Sequence, residues 1–191
     1  MIRKKWWYLL LVIPLLPWVI RSPDFFYPRY SEFSDLTITH LPNAIYLVNS
    51  IKNFGVLPLW SDLIFGSYPF AANPLSGLWY PPGWLAYVFS QPLGFNLVVM
   101  IHLFWGAIGF KRLLDYLGLR KQASLLGVFG FLLMPKLFAH FAAGHITLLY
   151  AFCWTPWLLF NQVANQRNSR WVVSAAILGL ITLADVRWLA Y

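Results

Sequence analysis

The sequence predicts an all-α fold: a polytopic bundle of transmembrane helices with a large outer loop that carries an amphipathic interfacial helix. Hydrophobic residues make up 60% of the 191 residues and charged residues only 10%, whereas a soluble domain carries about a quarter charged residues. The 11 Trp residues and the aromatic content of 19% are typical of side chains at the two headgroup levels of a bilayer. The composition therefore cannot supply a water-soluble surface.

The first predicted crossing is the apolar run at residues 6–20, which follows a basic flank. A secretory signal begins in the same way. However, no small-x-small cleavage pattern follows the run, and Pro14, Pro17 and Trp18 are unusual in a signal peptide. We therefore interpret the run as an uncleaved membrane helix.

Residues 21–94 are predicted to form a structured outer loop, because they are rich in Pro, Gly, Ser, Asn and aromatic residues. Apolar residues from Asp35 to Phe54 recur at helical spacing, namely Leu36, Ile38, Leu41, Ile45, Val48 and Ile51. Pro42 is expected to bend this helix and Gly55 to end it. Since its polar residues prevent it from spanning, the helix is predicted to lie at the membrane interface.

Four further crossings are predicted at residues 95–112, 123–140, 146–161 and 171–185. Each uninterrupted apolar run is shorter than the roughly 18 to 20 residues that a hydrocarbon core requires. The helices are therefore expected to extend into flanking residues or to end inside protein. We interpret residues 1–191 as one transmembrane domain, and because no polar tail follows the last apolar run, we expect it to be the N-terminal part of a larger one.

The distribution of cations predicts the orientation. With the N-terminus in the cytoplasm, nine Lys and Arg residues fall inside and five outside, as the positive-inside rule requires. The inner nine are Arg3, Lys4, Lys5, Lys111, Arg112, Arg120, Lys121, Arg167 and Arg170. The prediction is a multi-pass protein of the cell membrane with loop 21–94 external. Because the cations form small clusters between apolar runs, the predicted partner is the lipid bilayer and not nucleic acid.

The candidate site consists of ionisable residues that this topology brings to the outer face. The sequence contains no Walker loop, GxGxxG, HExxH or paired-cysteine metal spacing, and its single cysteine excludes an intrachain disulfide. Charged groups at membrane depth are costly and often functional. The candidates are Asp35, His40, Lys136, His140, His145, Asp185 and Arg187.

Several of these residues have a structural alternative. Asp35 follows Ser34 at the start of a helix and could simply cap it. Lys136 could extend from a helix end toward the headgroups, and Asp185 and Arg187 could pair with each other. His102, inside the second crossing, is predicted to be a hydrogen-bonded packing residue.

Two segments resemble a known family. From Ser34 to Leu85 the chain contains, in order, an acidic residue, an amphipathic helix and the short motifs PLW, FG, ANP and YPP. The later segment AAGHITLLYAFCWTPWLLF supplies a Gly-His pair and then a helix with Trp and Pro. This order resembles bacterial membrane proteins of the YfhO type, which are similar to the GT-C class of membrane glycosyltransferases. The likeness covers most of the chain after about Phe25.

The resemblance implies transfer of a sugar from a polyprenyl-phosphate donor to an acceptor on the outer face. It implies that Asp35 is the catalytic carboxylate, which takes the acceptor's proton. Lys136 and Arg187 are candidates, by charge and side, to support the departing lipid phosphate, and His40 and His145 complete the candidate substrate-binding set. No metal-binding residue is predicted, and the participation of a divalent cation is left open.

Two other functions remain open at the level of the sequence. A transporter or flippase for a lipid-linked or polar substrate would line its path with the same ionisable residues, and a noncatalytic membrane scaffold would use them for stability. Transporters often place charges near the bilayer midplane. Here the charges concentrate at the outer boundary beside a long structured loop, which favours surface chemistry.

Overall fold

The computed structural model describes residues 5–20, 33–62, 66–164 and 171–190. Regular secondary structure in these ranges is helical apart from one isolated β-bridge between Ser61 and Tyr68, which confirms the all-α class. Among the described residues, two helical stretches, Leu93–Tyr116 and Lys121–Ala142, are long and apolar enough to cross a membrane. The basic flank at residues 3–4, the start of the outer loop at 21–32 and the basic loop at 167–170 lie outside the described residues.

The N-terminal segment is a 3₁₀ helix, Lys5–Leu15, that continues as α1, Leu16–Ile20. Pro14 and Pro17 have no backbone N–H and therefore donate no intrahelical hydrogen bond in this segment. Trp18 is fully buried. The segment is therefore anchored in the core by its second half.

The predicted helix of the outer loop is a π-helical turn, Leu36–His40, that continues as α2, Leu41–Phe54. Gly55 ends α2 with φ of 67°, and its N–H donates a hydrogen bond to the carbonyl of Ile51. A left-handed glycine is a common helix terminator because it lacks the Cβ that would clash. The helix that the sequence predicts to end at Gly55 is thus present.

The face of α2 toward the protein is more polar than expected. The buried residues of α2 are Asn43, Ala44, Leu47 and Ser50. In contrast, the apolar side chains of Ile38, Ile45 and Ile51 are exposed. Ile38 and Ile45 are seven residues, or about two turns, apart, so the loop helix presents apolar side chains away from the protein.

Two helices, α3 at Leu93–Tyr116 and α6 at Ile146–Ala164, form the centre of the fold. A Cβ added at Gly106 of α3 would lie only 3.1 Å from the Cα of Cys153 in α6. Small residues allow such close backbone approach in membrane helix pairs. The pair provides the frame on which the other helices pack.

The crossing predicted at 123–140 lies within the candidate span Lys121–Ala142, which contains a break. The chain forms α4, Lys121–Leu132, and then α5, Pro135–Ala142, because Pro135 lacks an N–H and disfavours helical geometry in the residue before it. The carbonyl of Leu132, at the end of α4, accepts a 3.0 Å hydrogen bond from the indole N–H of Trp18.

The last α-helix, α7 at Trp171–Ala184, packs on α6 and is followed by a 3₁₀ segment, Val186–Ala190. At this contact Asn161 donates a 2.6 Å hydrogen bond from Nδ2 to Oγ of Ser174. The outer face of α7 is apolar and exposed, with Trp171, Val172, Val173, Leu178 and Leu183.

Successive long helices alternate in direction. The start of α3, the start of α6 and the end of α7 meet at one end of the bundle, where Phe95, Ile146 and Ala184 line the same cleft. At the opposite end, Tyr116 of α3 contacts Phe160 of α6 with ring centroids 6.1 Å apart. We refer to the end of the bundle that contains the cleft as the cleft end.

Candidate functional site

At the cleft end, the backbone at Asp35 is held against the turn between α5 and α6. The N–H of Asp35 donates a 3.0 Å hydrogen bond to the carbonyl of Ala143. Gly144 has φ of 81°, and a Cβ at this position would collide with the backbone nitrogens of Leu36 and Asp35. Glycine can adopt this positive φ and, without a Cβ, leaves room for the neighbouring backbone. Gly144 therefore allows the start of the loop helix to pack against the turn between α5 and α6.

The Asp35 side chain does not cap the helix that it begins. Ser34 fills that role, since its Oγ lies 3.4 Å from the N–H of Thr37 and its own N–H donates to Oγ1 of Thr37 at 3.1 Å. The carboxylate of Asp35 instead lies with Oδ2 3.3 Å from Nε2 of His145, and its side chain is 44% exposed. A carboxylate that is both paired and accessible remains available for chemistry.

A second histidine extends this pair. Nδ1 of His145 lies 3.0 Å from Nδ1 of His140. Because the Asp35 carboxylate favours a proton on Nε2 of His145, the neutral ring accepts at Nδ1 from the Nδ1–H of His140. The three side chains form a hydrogen-bonded line in which His140 donates to His145 and His145 donates to the carboxylate of Asp35.

The alternative in which Asp185 pairs with Arg187 is what the structure shows. Arg187 donates from Nη2 to Oδ2 at 2.6 Å and from Nε to Oδ1 at 2.9 Å, and the hydroxyl of Thr147 donates to Oδ2 at 2.9 Å. The carboxylate is buried, and the groups of Arg187 and Thr147 satisfy both of its oxygens. This network ties the end of α7 to the start of α6.

His40 lies among these groups. Its side chain is 5% exposed, and the charges of Asp35, Asp185, Arg187 and His145 all act on it. Burial is the largest influence and lowers the pKa of His40 to about 4. The imidazole is therefore uncharged at neutral pH, which makes it a hydrogen-bonding group and not a cation.

Lys136 occupies the first turn of α5 and is exposed. It precedes His140 by one helical turn, and its charge and that of Arg187 both act on the His140 ring. The structure therefore brings the five predicted site residues to one end of the bundle. They are Asp35, His40, Lys136, His145 and Arg187.

A cleft of ≈ 410 Å³, including space open to solvent, adjoins His40. Its wall includes Tyr80, Tyr87, Phe95, Thr147 and Tyr150. Thr147 links the cleft to the ionisable cluster, because its hydroxyl binds Asp185. The cleft is therefore continuous with the candidate site.

Tyr80 organises one wall of the cleft through a hydrogen-bonded chain. Trp154 donates from Nε1 to the Tyr80 hydroxyl at 2.8 Å, and that hydroxyl lies 2.6 Å from Nε2 of His102. Nδ1 of His102 is 2.8 Å from the carbonyl of Val98, which can only accept, so Tyr80 donates to Nε2. His102 is thus the hydrogen-bonded packing residue that its position predicted.

Three contributors to the site were missed by sequence reasoning. The polar groups of Thr147 and Tyr150 are three residues apart and share one face of α6, but nothing in the sequence indicates that this face borders a cleft. The contact made by Gly144 was also missed, although its place before His145 at a helix entry was a signal of special backbone geometry.

The burial of His40 predicts a pH-dependent stability. The unfolded chain binds a proton at His40 with the ordinary pKa of 6.5, whereas the folded chain does so at about 4. Between these values the unfolded state binds more protons, so folding stability should fall as the pH is lowered from 6.5 toward 4, by up to about 3 kcal/mol. Thermal unfolding of the parent should show this slope.

The control is His40→Gln, which keeps a polar side chain but does not titrate. Its melting temperature should depend less steeply on pH than that of the parent over the same window. The charged neighbours Asp35, Asp185, Arg187 and His145 are the same in both proteins, so the difference in slope reports His40. Equal slopes would show that His40 does not carry the depressed pKa.

Within the described ranges, no three His, Cys, Asp or Glu side chains are arranged to hold a metal ion. The chain matches no family model, no curated protein and no solved structure.

Proposed function

We propose that this protein is a membrane glycosyltransferase, similar to the YfhO-type and GT-C classes, that moves a sugar from a polyprenyl-phosphate donor to an acceptor at the outer face. The observation that supports this most is the convergence at the cleft end. An accessible carboxylate, two linked histidines and two cations come from separate segments of the chain and lie at the end of the bundle where His40 and Thr147 line a cleft.

In the proposed step, Asp35 accepts the proton of the acceptor hydroxyl while that oxygen bonds to the anomeric carbon of the sugar. The bond from this carbon to the phosphate oxygen breaks, and its electron pair leaves with the polyprenyl phosphate. The proton then leaves Asp35 for solvent, to which its side chain is 44% exposed. Lys136 and Arg187 supply positive charge for the leaving phosphate.

We also propose a polytopic bundle with five crossings in the cell membrane. Two stretches have the required length and hydropathy. The 3₁₀ and α-helical rises together extend Lys5–Ile20 to about 30 Å, close to the hydrocarbon thickness of a bilayer. Exposed apolar residues on α7 and the alternating helix directions are consistent with this arrangement.

The proposed orientation places the N-terminus in the cytoplasm and loop 21–94 outside. We expect single cysteines at Asn53 and Gln122, both exposed, to react from opposite sides. Ser50 in α2 is buried and is unsuitable for labelling. The native Cys153, also buried, is replaced by Ala in the background.

An impermeant maleimide added to intact cells should label Asn53→Cys at once and Gln122→Cys only after permeabilisation. The background protein without either cysteine controls for nonspecific reaction. Labelling of both positions from the same side would overturn the orientation.

Donor turnover tests the function itself. The full chain in lipid nanodiscs is incubated with a radiolabelled polyprenyl-phosphate sugar and membrane-derived acceptors. We expect label to leave the donor only when the protein is present. Movement of intact donor between leaflets without loss of sugar would instead indicate a flippase, and an unchanged donor in both assays would favour a scaffold.

A further inference from the structure

A cation lies over a row of aromatic rings at the end of the bundle opposite the cleft. The guanidinium carbon of Arg112, in α3, is 5.1 Å from the centroid of the Trp157 ring in α6. Trp157 stacks on Trp105 with ring centroids 4.3 Å apart. Phe160 contacts Trp157 edge to face at 6.5 Å and Tyr116 at 6.1 Å. We call the four rings of Trp105, Trp157, Phe160 and Tyr116 the aromatic row.

The packing of α3 against α6 fixes the ring beneath Arg112. A Cβ at Gly109 of α3 would lie only 2.6 Å from Nε1 of Trp157, so the missing side chain leaves room for the indole against the helix. The N–H at this Nε1 donates a 2.9 Å hydrogen bond to the carbonyl of Trp105. The aromatic row is therefore formed before any ligand binds.

Arg112 keeps its charge for a ligand. Its side chain is exposed, and among the described residues no carboxylate pairs with it. The acidic residue of α3, Asp115, is instead bound by Lys111 at 2.5 Å. Contact with an indole ring attracts a guanidinium but does not neutralise it. An anion that approaches from outside the protein therefore meets an uncompensated cation.

The surroundings of Arg112 match the boundary of a membrane. The helix α3 is a candidate span, and Arg112 precedes its last residue, Tyr116, by one turn, or about 6 Å. Trp105 lies about 10 Å farther along the same helix. In the proposed membrane arrangement, this depth places the cation near the headgroups and the aromatic row beside the acyl chains. Trp105 is 37% exposed and Tyr116 is 53% exposed, so lipid can reach the row.

The charge at this end favours an acidic lipid. The turn after α3 and the start of α4 add two exposed cations, Arg120 and Lys121. A basic surface beside membrane helices attracts anionic headgroups. A soluble phosphate would meet the same cations but would leave the aromatic row uncovered. A phospholipid supplies both the phosphate and the apolar chain.

We propose that Arg112 and the aromatic row form a binding site for an acidic phospholipid, with its phosphate at the guanidinium and one acyl chain along the rings. The site rests on the proposed membrane arrangement, which places it in the inner leaflet, and does not depend on sugar transfer. Because the row joins α3 to α6, the bound lipid should stabilise the central helix pair.

The test measures lipid binding to the full chain by native mass spectrometry in a mild detergent. The first phosphatidylglycerol should bind more tightly than the first phosphatidylcholine. Arg112→Gln should weaken that first binding by about fivefold, the effect of one cation near an anionic headgroup. The matched control is Arg120→Gln, which removes the same charge from the turn after α3 and should change the first binding little. Both positions are exposed, so both variants should melt near the parental temperature without lipid.

Glycerol 3-phosphate is the soluble comparison, because it carries the phosphate without acyl chains. It should displace phosphatidylglycerol only at much higher concentration. The proposal is overturned if phosphatidylcholine binds as tightly as phosphatidylglycerol, if Arg112→Gln weakens binding no more than Arg120→Gln, or if glycerol 3-phosphate competes at equal concentration.

These outcomes are separate from the tests of orientation and transfer. Inverted cysteine labelling would move the site to the outer leaflet without removing lipid binding that depends on Arg112. A protein that binds phosphatidylglycerol in this way but releases no sugar from the donor would keep the lipid site and refute the transferase.

Discussion

Replacing Asp35 with Asn is expected to lower sugar transfer by roughly a hundredfold or more, the scale of a lost general base. Asn keeps the size of the side chain but cannot accept the proton of the acceptor hydroxyl. The fold should survive, because Ser34 caps the helix and the bond to Ala143 uses the backbone of Asp35. The lost contact with His145 is half-exposed and contributes only about 0 to 1 kcal/mol.

The matched control is Asp62→Asn, which makes the same change of charge at an exposed position of the outer loop. It should transfer at the parental rate. Parental transfer by a well-folded Asp35→Asn protein would show that Asp35 is structural. Asp185 could not easily replace it, because that carboxylate is buried and bound by Arg187 and Thr147.

Gly144→Ala is expected to produce the largest loss of stability. The positive φ strains any L-residue by about 1 to 2 kcal/mol, and the new Cβ would also press on the backbone of Leu36 and Asp35. Overpacking of this kind adds about 1 to 3 kcal/mol. The melting temperature should fall, and amide hydrogens from Leu36 to His40 should exchange faster.

Gly118→Ala separates these two contributions. Gly118 has φ of 83°, but nothing lies within 4 Å of a Cβ added there. It should therefore show the conformational strain alone and melt above Gly144→Ala. Equal losses in the two variants would mean that the contact between Gly144 and the start of the loop helix does not hold the site together.

Local signals in the sequence predicted the helices but not where they end. The crossing predicted at 95–112 continues as α3 to Tyr116, because Lys111 pairs with Asp115 one turn later at 2.5 Å. The ion pair between Lys111 and Asp115 stabilises the helix across the charged residues at which the apolar pattern of the sequence stops. Pro135, in contrast, is a residue type that breaks helices. However, the apolar residues on both sides of it continue one pattern, so the sequence predicted a single crossing and not the division into α4 and α5.

The predicted topology indicated which candidate residues lie at the same end of the bundle. It did not indicate how their side chains are arranged there. Asp35 and His145 are far apart in the sequence, yet both precede helices that begin at the same end of an antiparallel bundle. The burial of His40 and the position of Tyr150 in the wall of a cleft depend on which helix faces pack together. Hydrophobic periodicity does not distinguish those faces when every face is apolar.

The hydrogen bond from Trp18 to Leu132 has a consequence for biogenesis. A helix that breaks within hydrocarbon leaves carbonyl groups that lipid cannot satisfy. If the proposed membrane arrangement holds, the segment containing Trp18 is synthesised and inserted before α4, so the indole donor precedes the carbonyl of Leu132 that it binds. In that arrangement, a chain that lacks the segment containing Trp18 would insert α4 and α5 without this donor for the carbonyl of Leu132.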